Sequence, residues 1–376
     1  MYERIGEEKT MSRKLASIQR IKDIRPIEGA DRIEMAQVLN WDCVIKKGDF
    51  SIGDLVIYFE IDSLLPDVPA FEWLKGSSWS QKLNKYRIRT QTLRNQISQG
   101  LIVSIDLLPE LEMQINGEIR NVIIEEGLDL TELLGIEKFE LPVSNGSMGR
   151  IINHEWYVPK TDEERIQVCA ENVLPEYMKL SPDDWYASVK LDGTSCTFGL
   201  FDDMFLIGGR NQWYQDENMY TTTVKKYGDI QTKLEDYKTI NGTYVVFQGE
   251  LCGPGIQKNR LGLKEKEIFV FNAFVSKTGK NGSYTKCPLP YMLRLCQKFG
   301  LKHVPIIEHN KFDFKKTDDI TATVNDLLKY VETLKYGDYF DTAPSTQLAE
   351  GAVFRTEDMT YSFKVVSNKY LLKNGD

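Results

Sequence analysis

A lysine that ends an apolar run, followed closely by an aspartate and a glycine, is the feature of this sequence best suited to chemistry. The residues Trp185 to Val189 predict a buried strand ending at Lys190, and Asp192 would share its face if the strand continued. Gly193 permits a sharp turn. A lysine desolvated in a cleft and set among cations has a lowered pKa and can attack a carbonyl or phosphorus centre. Taken alone, the segment is explained more simply as a surface lysine before an Asp-Gly turn.

Five downstream segments could complete a site around this lysine. They supply an arginine, two carboxylates, an aromatic ring and a second lysine: Gly209-Arg210-Asn211, Phe247-Gln248-Gly249-Glu250, Phe269-Val270-Phe271-Asn272, Glu350-Gly351-Ala352-Val353 and Phe363-Lys364-Val365-Val366. An arginine holds a phosphate through two hydrogen bonds, which a lysine cannot imitate. The sequence has no G-x-x-x-x-G-K-[ST] loop and no complete dinucleotide fingerprint. Phosphate chemistry would therefore depend on these segments.

In this order, the segments resemble the motifs of the covalent nucleotidyltransferase superfamily, which contains ATP-dependent ligases and RNA capping enzymes and has K-x-D-G as its first motif. The resemblance implies that Lys190 attacks the α-phosphate of ATP, expels pyrophosphate and stores AMP as a phosphoramide. Asp192 and Gly193 complete that motif and would help bind the nucleotide. Arg210 would hold a phosphate, and Glu250 would lie near the ribose hydroxyls.

The resemblance also implies an adenine platform and a metal site. Phe271 matches the aromatic residue on which adenine stacks, although Phe269 and Phe274 are close competitors in the same apolar run. Glu350 matches the carboxylate that holds Mg²⁺ through its water shell, with Asp192 and Glu250 as further metal residues through water. Mn²⁺ is expected to substitute for Mg²⁺.

The last motif departs from the common family pattern of two lysines. Lys364 would neutralise the α-phosphate, but Val366 stands where many members have the second lysine. Either Lys369 supplies the missing charge or Lys364 acts alone.

The elements that must position these residues fall into two groups. Short apolar runs separated by Gly, Pro and Asp from Leu15 to Ile105 predict a small antiparallel barrel, most simply an OB-fold. The second half predicts an α+β domain in which strands alternate with helices over Pro290–Phe299 and Asp318–Lys335. We expect a tail over 1–11, an OB-fold nucleic-acid-binding domain with its linker over 12–145, and a nucleotidyltransferase domain over 146–376. The latter is of the ligase and capping type, unrelated to ATP-grasp, with antiparallel sheets and flanking helices.

The order of these domains distinguishes subfamilies. DNA ligases and capping enzymes usually place their OB domain after the last motif, whereas here it comes first. With Glu28–Ile33, Asp62–Pro66 and Ser98–Leu101, this order resembles the RNA ligases typified by the Deinococcus and Naegleria enzymes. The resemblance implies an ATP-dependent RNA ligase that seals 3'-OH/5'-phosphate nicks with RNA on the 3'-OH side. A GTP-dependent capping guanylyltransferase and a non-catalytic OB-fold RNA-binding protein are the alternatives.

The charge distribution is compatible with an RNA partner despite a net charge of -8. Ten acidic and two basic residues between Asp106 and Glu140 account for that whole imbalance. From Lys75 to Gly100 there are six basic and no acidic residues, interleaved with Trp79 and Tyr86, which suits a phosphate backbone. An ordinary solvated loop is the alternative interpretation.

Composition and the lack of long apolar runs narrow the classes of protein to which the chain could belong. The 41% hydrophobic and 27% charged residues are typical of a globular protein. No apolar run approaches the ~18 residues of a membrane helix, and the first residues lack the apolar segment of an export signal. We therefore expect a cytoplasmic monomer with no membrane partner.

Overall fold

A computed structural model describes residues 13–120, 122–139, 149–307 and 311–374. The tail predicted over 1–11 lies outside the described residues. The described chain divides into two compact units. The N-terminal unit contains 13–139 with 166–170 and 368–374, and the C-terminal unit contains 149–165 and 171–367. None of the helices in these described ranges is long and apolar enough to cross a membrane.

The N-terminal unit is built on a curved antiparallel sheet. Its elements are β1 (Ala16–Pro26), β2 (Ile33–Val38), β3 (Trp41–Lys46), β4 (Leu55–Phe59), β5 (Ser63–Leu65), β6 (Trp79–Ser80), β7 (Lys85–Arg87), β8 (Thr90–Leu93), β9 (Gln96–Gln99), β10 (Leu101–Ser104), α1 (Leu108–Asn116) and β11 (Glu137–Lys138). The strand order is β10-β4-β1-β2-β3, with a second sheet β11-β5-β7-β6 and the hairpin β8-β9. A bulge at Lys22 bends β1, so its first half pairs with β4 and its second half with β2.

The C-terminal unit contains two sheets. Its elements, together with two helices at the boundaries between the units, are β12 (Ile151–Ile152), α2 (Ile166–Tyr177), β13 (Trp185–Lys190), β14 (Thr194–Phe201), β15 (Met204–Gly208), β16 (Trp213–Tyr214), α3 (Met219–Lys225), α4 (Ile230–Asn241), β17 (Tyr244–Cys252), β18 (Glu267–Ser276), β19 (Thr285–Lys286), α5 (Leu289–Phe299), β20 (Lys302–His303), β21 (Ile306–Ile307), α6 (Ile320–Val331), β22 (Gly351–Thr356), β23 (Ser362–Val366) and α7 (Asn368–Asn374). The larger sheet runs β12-β16-β15-β14-β17-β18-β19, with β20 added parallel to β18. The smaller sheet is β21-β13-β22-β23.

Both predicted helices of this unit are present, with shifted ends. The helix predicted over Pro290–Phe299 begins one residue earlier, and the one predicted over Asp318–Lys335 is shorter, because it occupies Ile320–Val331. The carboxylate of Asp319 accepts a hydrogen bond of 2.9 Å from the backbone N–H of Ala322 and so fixes where α6 begins. The α+β prediction with antiparallel sheets is confirmed.

The apolar core of the C-terminal unit lies on the larger sheet. Phe198 and Phe247 on neighbouring strands are fully buried and pack together, and Phe299 of α5 meets Phe247 edge to face. This packing fixes β14 and β17, whose ends carry the residues discussed next.

Candidate active site

Lys190 lies where the chain passes from one sheet to the other. It ends β13 in the smaller sheet, and β14 begins at Thr194 in the larger sheet. The K-x-D-G segment is therefore the crossing between the sheets. Lys190 pairs with Gly351 across β13 and β22, which places the preceding residue, Glu350, beside the lysine side chain.

Two glycines allow the backbones to meet at this crossing. A Cβ atom on Gly193 would lie 2.5 Å from the carbonyl oxygen of Leu251 and 2.8 Å from Cγ of Glu250. A Cβ atom on Gly351 would lie 2.0 Å from the carbonyl oxygen of Val365. Neither position tolerates a side chain without moving a strand. Close packing of the backbones therefore explains why both motif positions are glycine.

Carboxylates surround the lysine and reverse the predicted direction of its pKa. Lys190 Nζ lies 2.8 Å from Oε2 of Glu350, and the two side chains are 25% and 18% exposed. Burial alone would lower the pKa of Lys190, but the charges of Glu350, Glu250 and Asp192 outweigh it and raise the pKa. The expectation of a lysine set among cations with a lowered pKa was wrong, because its immediate neighbours are acidic.

Glu250 is protonated more readily than an ordinary glutamate. It lies on β17 opposite Ser195 of β14. Burial is the largest cause of the shift; Lys190 opposes it, whereas the charges of Glu350 and Asp192 add to it, so the pKa of Glu250 rises from 4.5 to about 8. The crowding of carboxylates in this buried site therefore favours the protonated form of Glu250, whereas a nearby cation favours its ionised form.

Asp192 is held by a residue that the sequence did not single out. Arg260 Nε donates a hydrogen bond of 2.6 Å to Oδ2 of Asp192, and both side chains are nearly buried. The same loop places Gln257 Nε2 3.2 Å from the carbonyl oxygen of Gly193. This loop between β17 and β18 therefore braces the K-x-D-G crossing.

Phe271 is distinguished from its competitors by a bulge. In the β17–β18 pair, Gln248 pairs with Asn272 but Gly249 pairs with Val270, so Phe271 is the extra residue. A bulge turns a side chain away from the regular alternation, commonly beside active sites. Phe269 and Phe274 are buried at 5% and 2% exposure, whereas Phe271 is half-buried. Of these three rings, Phe271 is the one with a surface available to a ligand.

Arg210 and Lys364 meet at a shared carboxylate. Arg210 follows β15 in the larger sheet, and Lys364 lies on β23 in the smaller sheet. Arg210 Nη2 and Lys364 Nζ each lie 2.6 Å from one oxygen of Asp162. Asp162 had not been predicted, because it stands in a highly charged stretch where the predicted domains meet. Two predicted phosphate-binding cations are thus brought together by an acidic residue.

The segment 159–165, here called the strap, is attached to several of the motifs. Lys160 Nζ lies 3.3 Å from Oδ1 of Asn211, and the Thr161 and Ser195 hydroxyls lie 2.6 Å apart. Glu163 accepts hydrogen bonds from Arg355 at 3.0 Å and from Ser362. Burial alone would raise the pKa of Glu163, but the charges of Arg355 and Lys286 lower it.

The position that holds a second lysine in many relatives of the last motif is buried in this structure. Val366 is buried in β23 at 3% exposure and pairs with Gly351. Lys369 is exposed on α7, which belongs to the N-terminal unit. Its proposed role in phosphate binding stays a prediction.

The carboxylates do not form a ready-made direct metal site. Within the described ranges, no group of three or more His, Cys, Asp or Glu side chains could hold a metal ion directly. Glu350, Glu250 and Asp192 nevertheless all act electrostatically on Lys190. Such an oxygen-only set fits a hydrated divalent cation contacted through water rather than a dehydrated one.

The basic stretch of the N-terminal unit is partly engaged in internal contacts. Lys85 Nζ lies 2.5 Å from Oε1 of Glu137, and the Arg87 guanidinium lies 3.4 Å from the centroid of Phe139. Arg87 is only 12% exposed and faces Asp62 at 3.9 Å. By contrast, Lys82 and Arg94 are exposed, with Arg94 at the turn between β8 and β9. The stretch as a whole is therefore not a uniform phosphate-binding surface.

Comparison with known proteins agrees with this architecture. A family model described as an OB-fold domain matches residues 15–105, and one described as RNA ligase matches residues 183–371. The chain belongs to the RNA ligase family. The OB-fold and RNA ligase predictions are confirmed, and the capping-enzyme and non-catalytic alternatives lose their support.

Solved structures of one enzyme extend the match over nearly the whole chain. A mutant of the Naegleria gruberi RNA ligase with ATP and Mn superimposes with a TM-score of 0.77 at 30% identity, covering 96% of this chain and 98% of that chain. The same ligase with PPi gives 0.76 at 30% identity, covering 97% and 100%. A mutant with AMP and Mn gives 0.73 at 30% identity, covering 96% and 98%. No curated protein sequence matches the chain.

Proposed function

We propose that this RNA ligase uses ATP and Mg²⁺ to join 3'-OH and 5'-phosphate RNA ends through a lysyl-AMP intermediate on Lys190. The observation that carries the proposal is the contact of 2.8 Å between Lys190 Nζ and Glu350 Oε2 at the crossing between the sheets. The Naegleria gruberi structures with ATP, AMP and PPi support the same nucleotide chemistry. Mn²⁺ is expected to substitute for Mg²⁺.

In the first step, Lys190 attacks the α-phosphorus of ATP. The N–P bond forms as the bond from the α-phosphorus to the bridging oxygen breaks, and pyrophosphate leaves. The ammonium group must first lose a proton, and Glu350 Oε2 lies within hydrogen-bond distance to accept it. The raised pKa of Lys190 keeps the lysine protonated, and therefore unreactive, until the surrounding carboxylate charge is compensated.

The remaining side chains position the nucleotide. Phe271 stacks on adenine, and Glu250 faces the ribose hydroxyls. Arg210 and Lys364 bind phosphate oxygens and stabilise the charge that develops on them. Asp192 and Gly193 fix the crossing that carries the nucleophile.

A hydrated Mg²⁺ would be held through water by Glu350, with Asp192 and Glu250 contributing. When bound, the ion would supply positive charge that neutralises the phosphates and lowers the pKa of Lys190. Its contribution is electrostatic and requires no direct protein ligand.

The second and third steps act on RNA. AMP moves from Lys190 to a 5'-phosphate, and a 3'-OH then attacks that activated phosphate with release of AMP. We propose nicks in duplexes with RNA on the 3'-OH side as the substrate, with the OB-fold binding the nucleic acid. The OB-fold domain and its linker correspond to 12–145 and the nucleotidyltransferase domain to 146–376. A cytoplasmic monomer remains the expected form.

Intact mass tests the proposal directly. Protein first treated with pyrophosphate and then incubated with ATP and Mg²⁺ should gain the mass of one AMP, whereas Lys190→Ala should gain none. Incubation with GTP should leave the mass unchanged. An AMP adduct on Lys190→Ala, or a wild-type protein that neither gains AMP nor seals a nicked duplex, would overturn the proposal.

A further inference from the structure

The structure contains an acidic residue where the proposed reaction requires a phosphate. Asp162 divides its carboxylate between two cations, with one oxygen 2.6 Å from Arg210 Nη2 and the other 2.6 Å from Lys364 Nζ. The Arg210 side chain is 30% exposed and that of Lys364 is 10% exposed. Both contacts are charge-assisted hydrogen bonds in a partly desolvated site, where such bonds are strongest.

The position of Asp162 is determined by the residues around it. Before it, Thr161 lies 2.6 Å from the Ser195 hydroxyl, and Pro159 accepts a hydrogen bond of 2.7 Å from Gln248 Nε2. After it, the carbonyl oxygen of Glu164 accepts a hydrogen bond of 2.7 Å from the backbone N–H of Lys364. The strap is thus anchored on both sides of Asp162. These anchors hold the Asp162 carboxylate between Arg210 and Lys364.

The two cations belong to different sheets. Arg210 extends from the larger sheet and Lys364 from the smaller one. Without an anion between them, the two positive charges would repel each other across the cleft. One carboxylate keeps both side chains oriented, which is the task that phosphate oxygens would perform in the loaded enzyme.

We propose that Asp162 is an internal anion that occupies the polyphosphate subsite of the nucleotide-free ligase and is exchanged for phosphate oxygens when ATP binds. This inference rests on the proposed function, since it assigns Arg210 and Lys364 to phosphate binding. A polyphosphate carries more charge and more acceptor oxygens than a carboxylate and therefore displaces it. A weakly charged anion does not, so the same exchange selects for polyphosphates. After pyrophosphate leaves, Asp162 returns to the cations.

The exchange makes Asp162 a competitor of the ligand. Asp162→Asn removes the charge and keeps the shape, so pyrophosphate should bind more tightly, by roughly ten-fold, the change that about 1.4 kcal/mol produces. Binding is measured by isothermal titration calorimetry with pyrophosphate and Mg²⁺ in the full chain carrying Lys190→Ala, which prevents adenylylation. Melting temperature verifies that each variant is folded.

Two matched variants distinguish competition between Asp162 and pyrophosphate from a general disturbance of the strap. Glu163→Gln removes a neighbouring charge that pairs with Arg355 instead of Arg210 or Lys364, and it should not tighten pyrophosphate binding. Adding Arg210→Gln should shrink the gain produced by Asp162→Asn, because one of the two contested cations is absent. If Asp162→Asn does not fold, Asp162→Ser provides the same comparison.

Each result has one meaning. Tighter binding in Asp162→Asn alone supports the exchange. Equal or weaker binding in folded Asp162→Asn, or an equal gain in Glu163→Gln, overturns it. If the Lys190→Ala parent binds neither ATP nor pyrophosphate, the proposed function itself fails, which is a separate outcome.

Discussion

The phenol of Tyr336 donates a hydrogen bond of 2.9 Å to the backbone carbonyl oxygen of Lys190. The phenol oxygen of Tyr336 in turn accepts a hydrogen bond of 3.2 Å from the backbone N–H of Glu350. Tyr336 is fully buried, so these bonds have little competition from bulk water. One side chain thus fixes the backbone of Lys190 relative to that of Glu350.

Tyr336→Phe should slow adenylylation of Lys190 by about ten-fold while leaving ATP binding nearly unchanged. The substitution leaves the backbone N–H of Glu350 without its acceptor, which costs roughly 1 to 3 kcal/mol. That cost should loosen the alignment of Glu350 with Lys190 and so slow the reaction. Single-turnover adenylylation at several ATP concentrations separates the rate from the affinity. Tyr361→Phe, a half-buried tyrosine before β23, is the control, and an equal slowing there would mean that Tyr336 has no special role.

Glu350→Gln should lower the pKa of Lys190, because Glu350 is the charge that raises it most. In the wild type the raised pKa keeps the ammonium form up to higher pH, so the amine becomes reactive only at alkaline pH. The variant should react with an acylating reagent from a lower pH upward. Peptide mass spectrometry across a pH series gives the midpoint for Lys190, with exposed Lys373 as the internal reference. A midpoint for Lys190 that is unchanged or raised in the variant would contradict the conclusion that Glu350 raises the pKa of Lys190.

Ligation by Glu350→Gln should nevertheless fall by several orders of magnitude, since the proposed mechanism also uses this carboxylate to hold the metal through water and to accept a proton. A more reactive lysine would therefore accompany a less active enzyme. Circular dichroism checks that the variant is folded, because a loss of fold would explain the same loss of activity trivially.

Phe271→Leu should weaken ATP binding by about ten-fold or more, since stacking of a base on an aromatic ring is worth about 1 to 3 kcal/mol. Phe269→Leu is the matched control, because that ring is buried and packs edge to face on Phe340 at 5.3 Å. It should lower the melting temperature with little effect on the ATP affinity of the folded protein. The reverse pattern would assign the base platform to Phe269.

In the OB-fold, Lys82→Gln with Arg94→Gln should weaken binding of a nicked duplex. The salt dependence of binding should also fall, by roughly one unit of log-log slope for each phosphate that the substituted side chains no longer neutralise. Both residues are exposed. Arg87→Gln should instead lower the melting temperature, because Arg87 packs on Phe139 within the same unit. Duplex affinity at several salt concentrations, measured for the double variant and for Arg87→Gln, tests this difference. Unchanged slopes in the double variant would mean that Lys82 and Arg94 are ordinary solvated side chains.

Local patterns predicted the strands and the residues that end them. The strand predicted over Trp185 to Val189 is present as β13, and Glu350, from one of the segments expected to complete the site, lies beside Lys190. The direction of the lysine pKa was wrong because it depends on carboxylates from strands far apart in sequence. Phe271 could not be separated from Phe269 by alternation, since a bulge breaks the period of two.

The residues that sequence patterns missed are those whose role exists only through tertiary contacts. Asp162 stands in a charged stretch typical of a solvated linker, and its partners are 48 and 202 residues away. Arg260 reaches Asp192 from a loop rich in glycine and turn residues. Arg87 illustrates the opposite error, because a basic side chain near aromatic residues suggested RNA but packs inside its own unit.

The crossing of the chain between two sheets at Lys190 has a mechanical consequence. Lys190 ends β13 and Glu350 directly precedes β22, and these two strands are paired in the smaller sheet, so any displacement of one sheet against the other would move both residues together. Glu250 and Phe271 lie on strands of the larger sheet. An opening of the cleft would therefore keep Lys190 beside Glu350 while changing the distances from this pair to Glu250 and Phe271. Asp162, which contacts Arg210 after β15 of the larger sheet and Lys364 of the smaller sheet, would hold the two sheets together.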